Sequence, residues 1–109
     1  MTMDVESVFI GKREALVELC RAYSVHRLEL FGSAADQSFN PEKSDLDFLV
    51  TFEPCTPGQH YERYFGLVEA LEMLFKRPVD LVEANTLRNP YFIREVNQTR
   101  RLVYAAGLK

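Results

Sequence analysis

The stretch LFGSAADQSFNPEKSDLDFLV, residues 30–50, consists of two apolar runs joined by a polar loop. The loop begins with Gly32 and Ser33 and ends at an Asp-Leu-Asp triplet that contains Asp45 and Asp47. Residues i and i+2 of a strand share a face, so the two aspartates point one way while the apolar residues between and after them point to the core. The Cβ atoms of such a pair lie roughly 6–7 Å apart, a distance at which two carboxylates repel each other.

The spacing of apolar residues and the positions of proline outline the rest of the chain. It predicts helices over residues 4–23 and 60–76, a weaker helix over 86–98, strands over 25–31, 45–52 and 79–83, a loop over 55–59, and a strand or packed tail over 101–106. This α-β-β-α-β-α order predicts an α/β (α+β) fold with a three- to four-stranded mixed sheet flanked by helices. We expect residues 1–109 to form a single domain.

Composition restricts the possible functions. The chain of 109 residues has a formal net charge of -3, which argues against a large basic face for nucleic acid but leaves a small nucleotide possible. The two cysteines form no CxxC pair and indicate reduced thiols in a cytoplasmic protein. No apolar run approaches the ~20 residues of a membrane span, and the N-terminus lacks the basic region of a secretory signal.

A third carboxylate, Asp80, lies in the apolar run VDLVE, residues 79–83. If this strand lies beside residues 45–52, Asp80 joins Asp45 and Asp47 in one cluster. Three acids on adjacent strands suit a two-metal site, with Mg²⁺ as the expected ion, because Mg²⁺ prefers hard oxygen ligands. Taken alone, an Asp-x-Asp pattern more often marks a strand start in solvent.

The Gly32-Ser33 pair follows a predicted strand directly. Glycine allows the backbone to approach a phosphate closely, and the N–H groups that follow, together with the Ser33 hydroxyl, can donate to phosphate oxygens. Ser44, which precedes the Asp-x-Asp triplet, completes the predicted nucleotide-binding set. An ordinary Gly-Ser turn is the alternative for the pair considered alone.

Together these residues resemble the motif of the small MNT-type nucleotidyltransferases of the DNA polymerase β-like superfamily: Gly-Ser, then Asp-x-Asp, then an aspartate on a later strand. The resemblance spans residues 26–106. It implies that Gly32 and Ser33 bind nucleotide phosphates and that Asp45 and Asp47 bind Mg²⁺. It further implies that Asp80 completes the metal site and acts as base, with ATP as the substrate.

The same resemblance implies a biological role. Bacterial members are typically encoded beside a HEPN-domain ribonuclease toxin, and characterised members transfer AMP from ATP to a toxin tyrosine. We therefore expect an antitoxin that forms a hetero-oligomer with a HEPN-type toxin and has no direct nucleic-acid or membrane partner. Two alternatives stay open at this point: a catalytically weak antitoxin that neutralises its toxin by binding, and a nucleotidyltransferase that acts on a small molecule.

The aromatic stripe of Tyr61, Tyr64 and Phe65 falls at helical spacing within residues 60–76. Core packing is the simplest interpretation of such a stripe, and a groove for a partner helix is the alternative.

Overall fold

The computed structural model describes Phe9 and residues 11–32 and 45–106, which form three helices and four strands. In chain order these are α1 (Arg13–Ala22), β1 (Val25–Phe31), β2 (Leu46–Phe52), α2 (Pro57–Phe75), β3 (Val79–Glu83), α3 (Pro90–Thr99) and β4 (Arg101–Ala105), with a 3-10 turn at Ala84–Thr86. The strand order is β3-β2-β1-β4. β1 is antiparallel to β2 and β4, and β2 is parallel to β3, so the predicted mixed sheet is confirmed with four strands.

Alternation along the strands divides the hydrophobic residues between the two faces of the sheet. One face carries Leu28, Phe48 and Val50 and packs against buried side chains of α1 and α2. On the other face, Phe31 and Leu49 pack against Val96 of α3 in a smaller cluster. The predicted apolar face of the second strand, β2, therefore packs into the main core. The opposite face of the sheet has a smaller apolar cluster and carries polar side chains at one end.

Helix α2 begins earlier than the sequence pattern predicted. Residues Pro57 to Gln59, expected in a loop, form its first turn. The Thr56 hydroxyl accepts from the Gln59 backbone N–H at 3.3 Å, and the Gln59 side chain accepts from the Thr56 N–H at 3.1 Å. This capping box satisfies two helix-end donors, and Pro57 at the first helical position has no N–H to leave unpaired.

The prediction that the aromatic stripe of α2 packs in the core is wrong for two of its three members. Tyr61 is 63% exposed and Phe65 is 52% exposed, with their ring centroids 4.6 Å apart. Tyr64 is partly buried, and its hydroxyl donates to the Leu81 carbonyl at 2.5 Å. A helix with a core on one side only leaves part of any broad apolar stripe in solvent.

Among the residues that the structure describes, no helix combines the length and the apolar character needed to cross a membrane.

Candidate active site

The sheet topology brings three chain segments together at one edge. Because β1 and β2 are antiparallel, the end of β1 lies beside the start of β2, and Phe31 pairs with Asp47. Because β2 and β3 are parallel, their starts lie side by side, and Asp47 pairs with Asp80. The end of β1, where Gly32 follows, therefore lies beside Asp47, and Asp80 lies on the far side of β2.

Asp47 and Asp80 are direct cross-strand neighbours and point to the same face of the sheet. Asp47 is partly buried and Asp80 is exposed. Burial, followed by the nearby charges of Asp80 and Asp45, raises the pKa of Asp47 from its ordinary 3.8 to about 6. All three causes raise the pKa of Asp47, whereas a bound cation would lower it. The surroundings of this carboxylate therefore favour a positively charged partner.

Asp45 lies one residue before β2 and is exposed to solvent. The sequence pattern placed it inside the strand, and its exclusion from the ladder is a one-residue difference at a strand end. Its charge still reaches Asp47, since it contributes to the raised pKa of that carboxyl. The three acids predicted from sequence are therefore electrostatically coupled through Asp47.

Gly32 occupies a position that no other residue fills without strain. Its φ angle is +73°, in the left-handed region, and a Cβ built there would lie 2.5 Å from Asp47 Oδ2. Glycine at this position lets the end of β1 pass directly over the Asp47 carboxylate. The other two predicted nucleotide-binding residues, Ser33 and Ser44, lie outside the described residues.

The donor set suits a hard divalent cation in its chemistry. Asp45, Asp47 and Asp80 offer only carboxylate oxygens, and a cation among them would relieve the repulsion that raises the pKa of Asp47. Within residues 9, 11–32 and 45–106, no group of three or more His, Cys, Asp or Glu side chains is arranged closely enough to hold a metal ion by itself. Mg²⁺ usually keeps several waters and binds one or two carboxylates plus substrate phosphates, so a looser protein contribution fits that ion.

Two interactions at this edge were not predicted from the sequence. The Gly32 N–H donates to the Thr99 hydroxyl at 2.9 Å, and Arg100 makes a two-pronged ion pair with Glu29. Glu29 is only 4% exposed, although it lies in a strand. A glutamate within the apolar run VHRLELF, residues 25–31, was the one available signal that a cation must pack nearby. Thr99 gave no signal, because its contact depends on how α3 crosses the sheet.

Comparison with known proteins agrees with this geometry. A model of the nucleotidyltransferase domain family matches residues 12–103. Two proteins of Methanocaldococcus jannaschii, both named as candidate protein adenylyltransferases, are 32% and 37% identical over 76 residues, which is 70% of this chain and 74% of each relative. The chain therefore belongs to the nucleotidyltransferase domain family.

Solved structures place it more narrowly. A structure described as a candidate minimal nucleotidyltransferase is 34% identical, with a TM-score of 0.69 over 91% of this chain and 95% of that one. A Shewanella oneidensis complex of a tri-AMPylated HEPN toxin with an MNT antitoxin matches at 18% identity and a TM-score of 0.53, covering 87% of this chain and 71% of that one. The second likeness concerns the fold alone. The expected fold and the expected enzyme class, a minimal nucleotidyltransferase, are confirmed.

Proposed function

We propose that this protein is a Mg²⁺-dependent nucleotidyltransferase that moves AMP from ATP onto a hydroxyl of a partner HEPN ribonuclease toxin, most simply a tyrosine, and so acts as an antitoxin. The observation that carries the chemistry is the cross-strand pair of Asp47 and Asp80, with Gly32 packed against Asp47. The names of the M. jannaschii relatives support a protein acceptor, and the Shewanella complex supports a HEPN toxin. The family match over residues 12–103 supports treating residues 1–109 as one domain.

In this mechanism the acceptor oxygen attacks the α-phosphorus of ATP in line. The bond from that oxygen to the α-phosphorus forms, the bond from the α-phosphorus to the bridging oxygen of the β-phosphate breaks, and pyrophosphate leaves with the electron pair. Asp45 and Asp47 would hold Mg²⁺ with Asp80, and the bound metal would offset charge on the triphosphate and favour ionisation of the acceptor hydroxyl. Asp80, the exposed member of the cross-strand pair, takes the acceptor proton.

Gly32 and Ser33 hold the outer phosphates in this proposal, with Ser44 at the other end of the same loop. Gly32 supports the proposal because the missing side chain lets its backbone lie directly against the Asp47 carboxylate. The phosphates and the metal-binding Asp47 carboxylate would then lie side by side at this edge of the sheet. This arrangement would fix the α-phosphorus relative to the incoming hydroxyl.

The test uses the purified chain, a HEPN ribonuclease toxin taken as its proposed partner, α-labelled ATP and Mg²⁺. The proposal predicts that wild type labels the toxin and that Asp47→Asn gives no label above background. Glu18→Gln, which removes the same charge from the exposed side of α1, is the control and should label the toxin as wild type does. The labelled residue is then identified by peptide mass spectrometry, and a tyrosine is expected.

The same experiment separates the alternatives. Toxin that is inhibited without acquiring label, by wild type and by Asp47→Asn equally, would show an antitoxin that acts by binding. Label appearing on a small molecule with no toxin present would show a different acceptor. Either result would contradict transfer of AMP to the toxin.

A further inference from the structure

The backbone N–H of Gly32 has a side-chain partner from a distant part of the chain. It donates to Thr99 Oγ1 at 2.9 Å, and the Thr99 hydroxyl itself donates to the Glu95 carbonyl at 3.2 Å. A hydroxyl has one hydrogen, so its donation to Glu95 turns a lone pair toward Gly32. The last residue of α3 therefore holds the backbone at the end of β1.

The neighbouring residue fastens the same junction to β1. Arg100 donates to Glu29 from Nε at 2.9 Å and from Nη2 at 2.7 Å, and Arg27 Nε lies 3.2 Å from the same carboxylate. β4 then begins at Arg101, which pairs with Leu30. A planar two-pronged contact fixes direction as well as distance. Thr99 is thus held at a defined height along β1, next to the position where Gly32 leaves the strand.

Gly32 has little freedom to move in this arrangement. A Cβ on this residue would lie only 2.5 Å from Asp47 Oδ2, so the backbone already lies against the carboxylate. Since its N–H is bonded to Thr99, Gly32 contributes its position to the phosphate site, while the donors to phosphate come from elsewhere. A displacement of a fraction of an ångström here would shift the phosphate site relative to Asp47, and productive geometry tolerates only about 0.5 Å.

We propose that Thr99 is a positioning residue for nucleotide binding, acting through the Gly32 backbone; this inference rests on the proposed function. Its hydroxyl, rather than its bulk, is the active feature, because the oxygen is the atom that accepts from Gly32. Serine keeps that oxygen, while valine keeps the shape and removes it.

The test is equilibrium binding of an ATP analogue with a methylene bridge between the α- and β-phosphates, in the presence of MgCl₂, measured by calorimetry on the full chain. Thr99→Val should raise the Kd by about 3- to 10-fold, the factor typical of one lost hydrogen bond. Thr99→Ser should stay within about twofold of wild type. Thr86→Val is the matched control: this threonine donates to the Glu83 carbonyl at the other end of β3, and its loss should leave the Kd unchanged.

Arg100→Lys is a second perturbation of the same junction that keeps the charge and removes the two-pronged contact. Arg100→Lys should also raise the Kd for the ATP analogue, so the inference stays testable if Thr99→Val does not fold. Two results would overturn the positioning role and leave the proposed function standing. In the first, wild type binds the analogue and Thr99→Val binds it with the same Kd. In the second, Thr99→Ser binds it as weakly as Thr99→Val does. A wild type that binds no analogue at all would overturn both.

Discussion

Replacing Asp47 with asparagine should make the metal-free protein more stable at neutral pH, although it removes a carboxylate that the proposed reaction needs. Burial and the charges of Asp80 and Asp45 raise the pKa of Asp47 from 3.8 to about 6. Ionised Asp47 therefore destabilises the folded state, and the neutral asparagine mimics the protonated acid that the fold prefers.

The magnitude follows from the two pKa values. The rise from 3.8 to about 6, at about 1.4 kcal/mol for each factor of ten, corresponds to about 3 kcal/mol once Asp47 is fully ionised. Asp47 is only partly buried, and solvent screens part of its repulsion, so we expect a gain of about 1–3 kcal/mol in the free energy of unfolding.

The sign of the pH dependence is fixed by the same values. The folded protein holds the Asp47 proton more tightly than the unfolded chain does, so the contribution of this group to stability is complete below about pH 4 and is lost as the pH rises through about 6. The asparagine variant has no charge to gain at this position, so it does not lose this stability as the pH rises. The difference in unfolding free energy between variant and wild type should therefore be small at pH 4 and should grow to its full value by pH 7.5.

Urea unfolding in EDTA, followed by circular dichroism at pH 4, 5, 6 and 7.5, measures this difference. Asp45→Asn serves as a control, because Asp45 is exposed and only contributes to the repulsion at Asp47; its stabilisation should be the smaller one. A variant no more stable than wild type at pH 7.5, or a difference that does not change with pH, would refute the electrostatic account of Asp47.

Three further predictions concern the residues around the site and the start of α2. Gly32→Ala should lower the free energy of unfolding by about 1 kcal/mol or more and weaken binding of the Mg²⁺-bound ATP analogue, because φ is +73° and the new Cβ meets Asp47; urea unfolding and calorimetry at wild-type values would contradict the close packing. Glu29→Gln should cost about 1.5–3 kcal/mol at pH 7, since it weakens the ion pair with Arg100. The pKa of Glu29 is lowered, first by its hydrogen bond to Arg100, so the variant's deficit should be present above about pH 4.5 and disappear as the pH falls further; a deficit equal at pH 3 and pH 7 would count against the pair. Thr56→Ala should cost about 1 kcal/mol in thermal or urea unfolding through loss of the capping box, with nucleotide binding unchanged, and an unaltered midpoint would argue that the cap contributes nothing.

The strands, and the face of the sheet to which each side chain points, were predictable because alternation leaves little choice. A one-residue slip of β2 would bring Asp47 into the main core and move Phe48 out of it, so the residue pattern fixes the face of each side chain. With that face fixed, Asp80 in a short apolar strand could meet Asp47 only if β3 lies beside β2, and the structure confirms that arrangement.

The contacts that brace the site were not predictable for a different reason. Thr99 is 67 residues away from Gly32 along the chain, and its contact depends on the angle at which α3 crosses the sheet. Single-sequence patterns report periodicity within an element and carry no information on how two elements are docked. The early start of α2 differs in kind. Pro57 and Gly58 favour a loop, but Thr56 and Gln59 have the spacing of a capping box, which is a local signal for a helix start.

Transfer of label from α-labelled ATP is the most direct test of the central claim, that Asp45, Asp47 and Asp80 form a metal-dependent nucleotidyl-transfer site. With Mg²⁺ and the proposed HEPN partner, wild type should label the partner, and addition of EDTA should abolish the label. Asp47→Asn and Asp80→Asn should each reduce the rate by at least about 10²-fold, the lower range for loss of a group that stabilises charge in the transition state. Transfer by either variant at the wild-type rate, or transfer that persists in EDTA, would contradict the account.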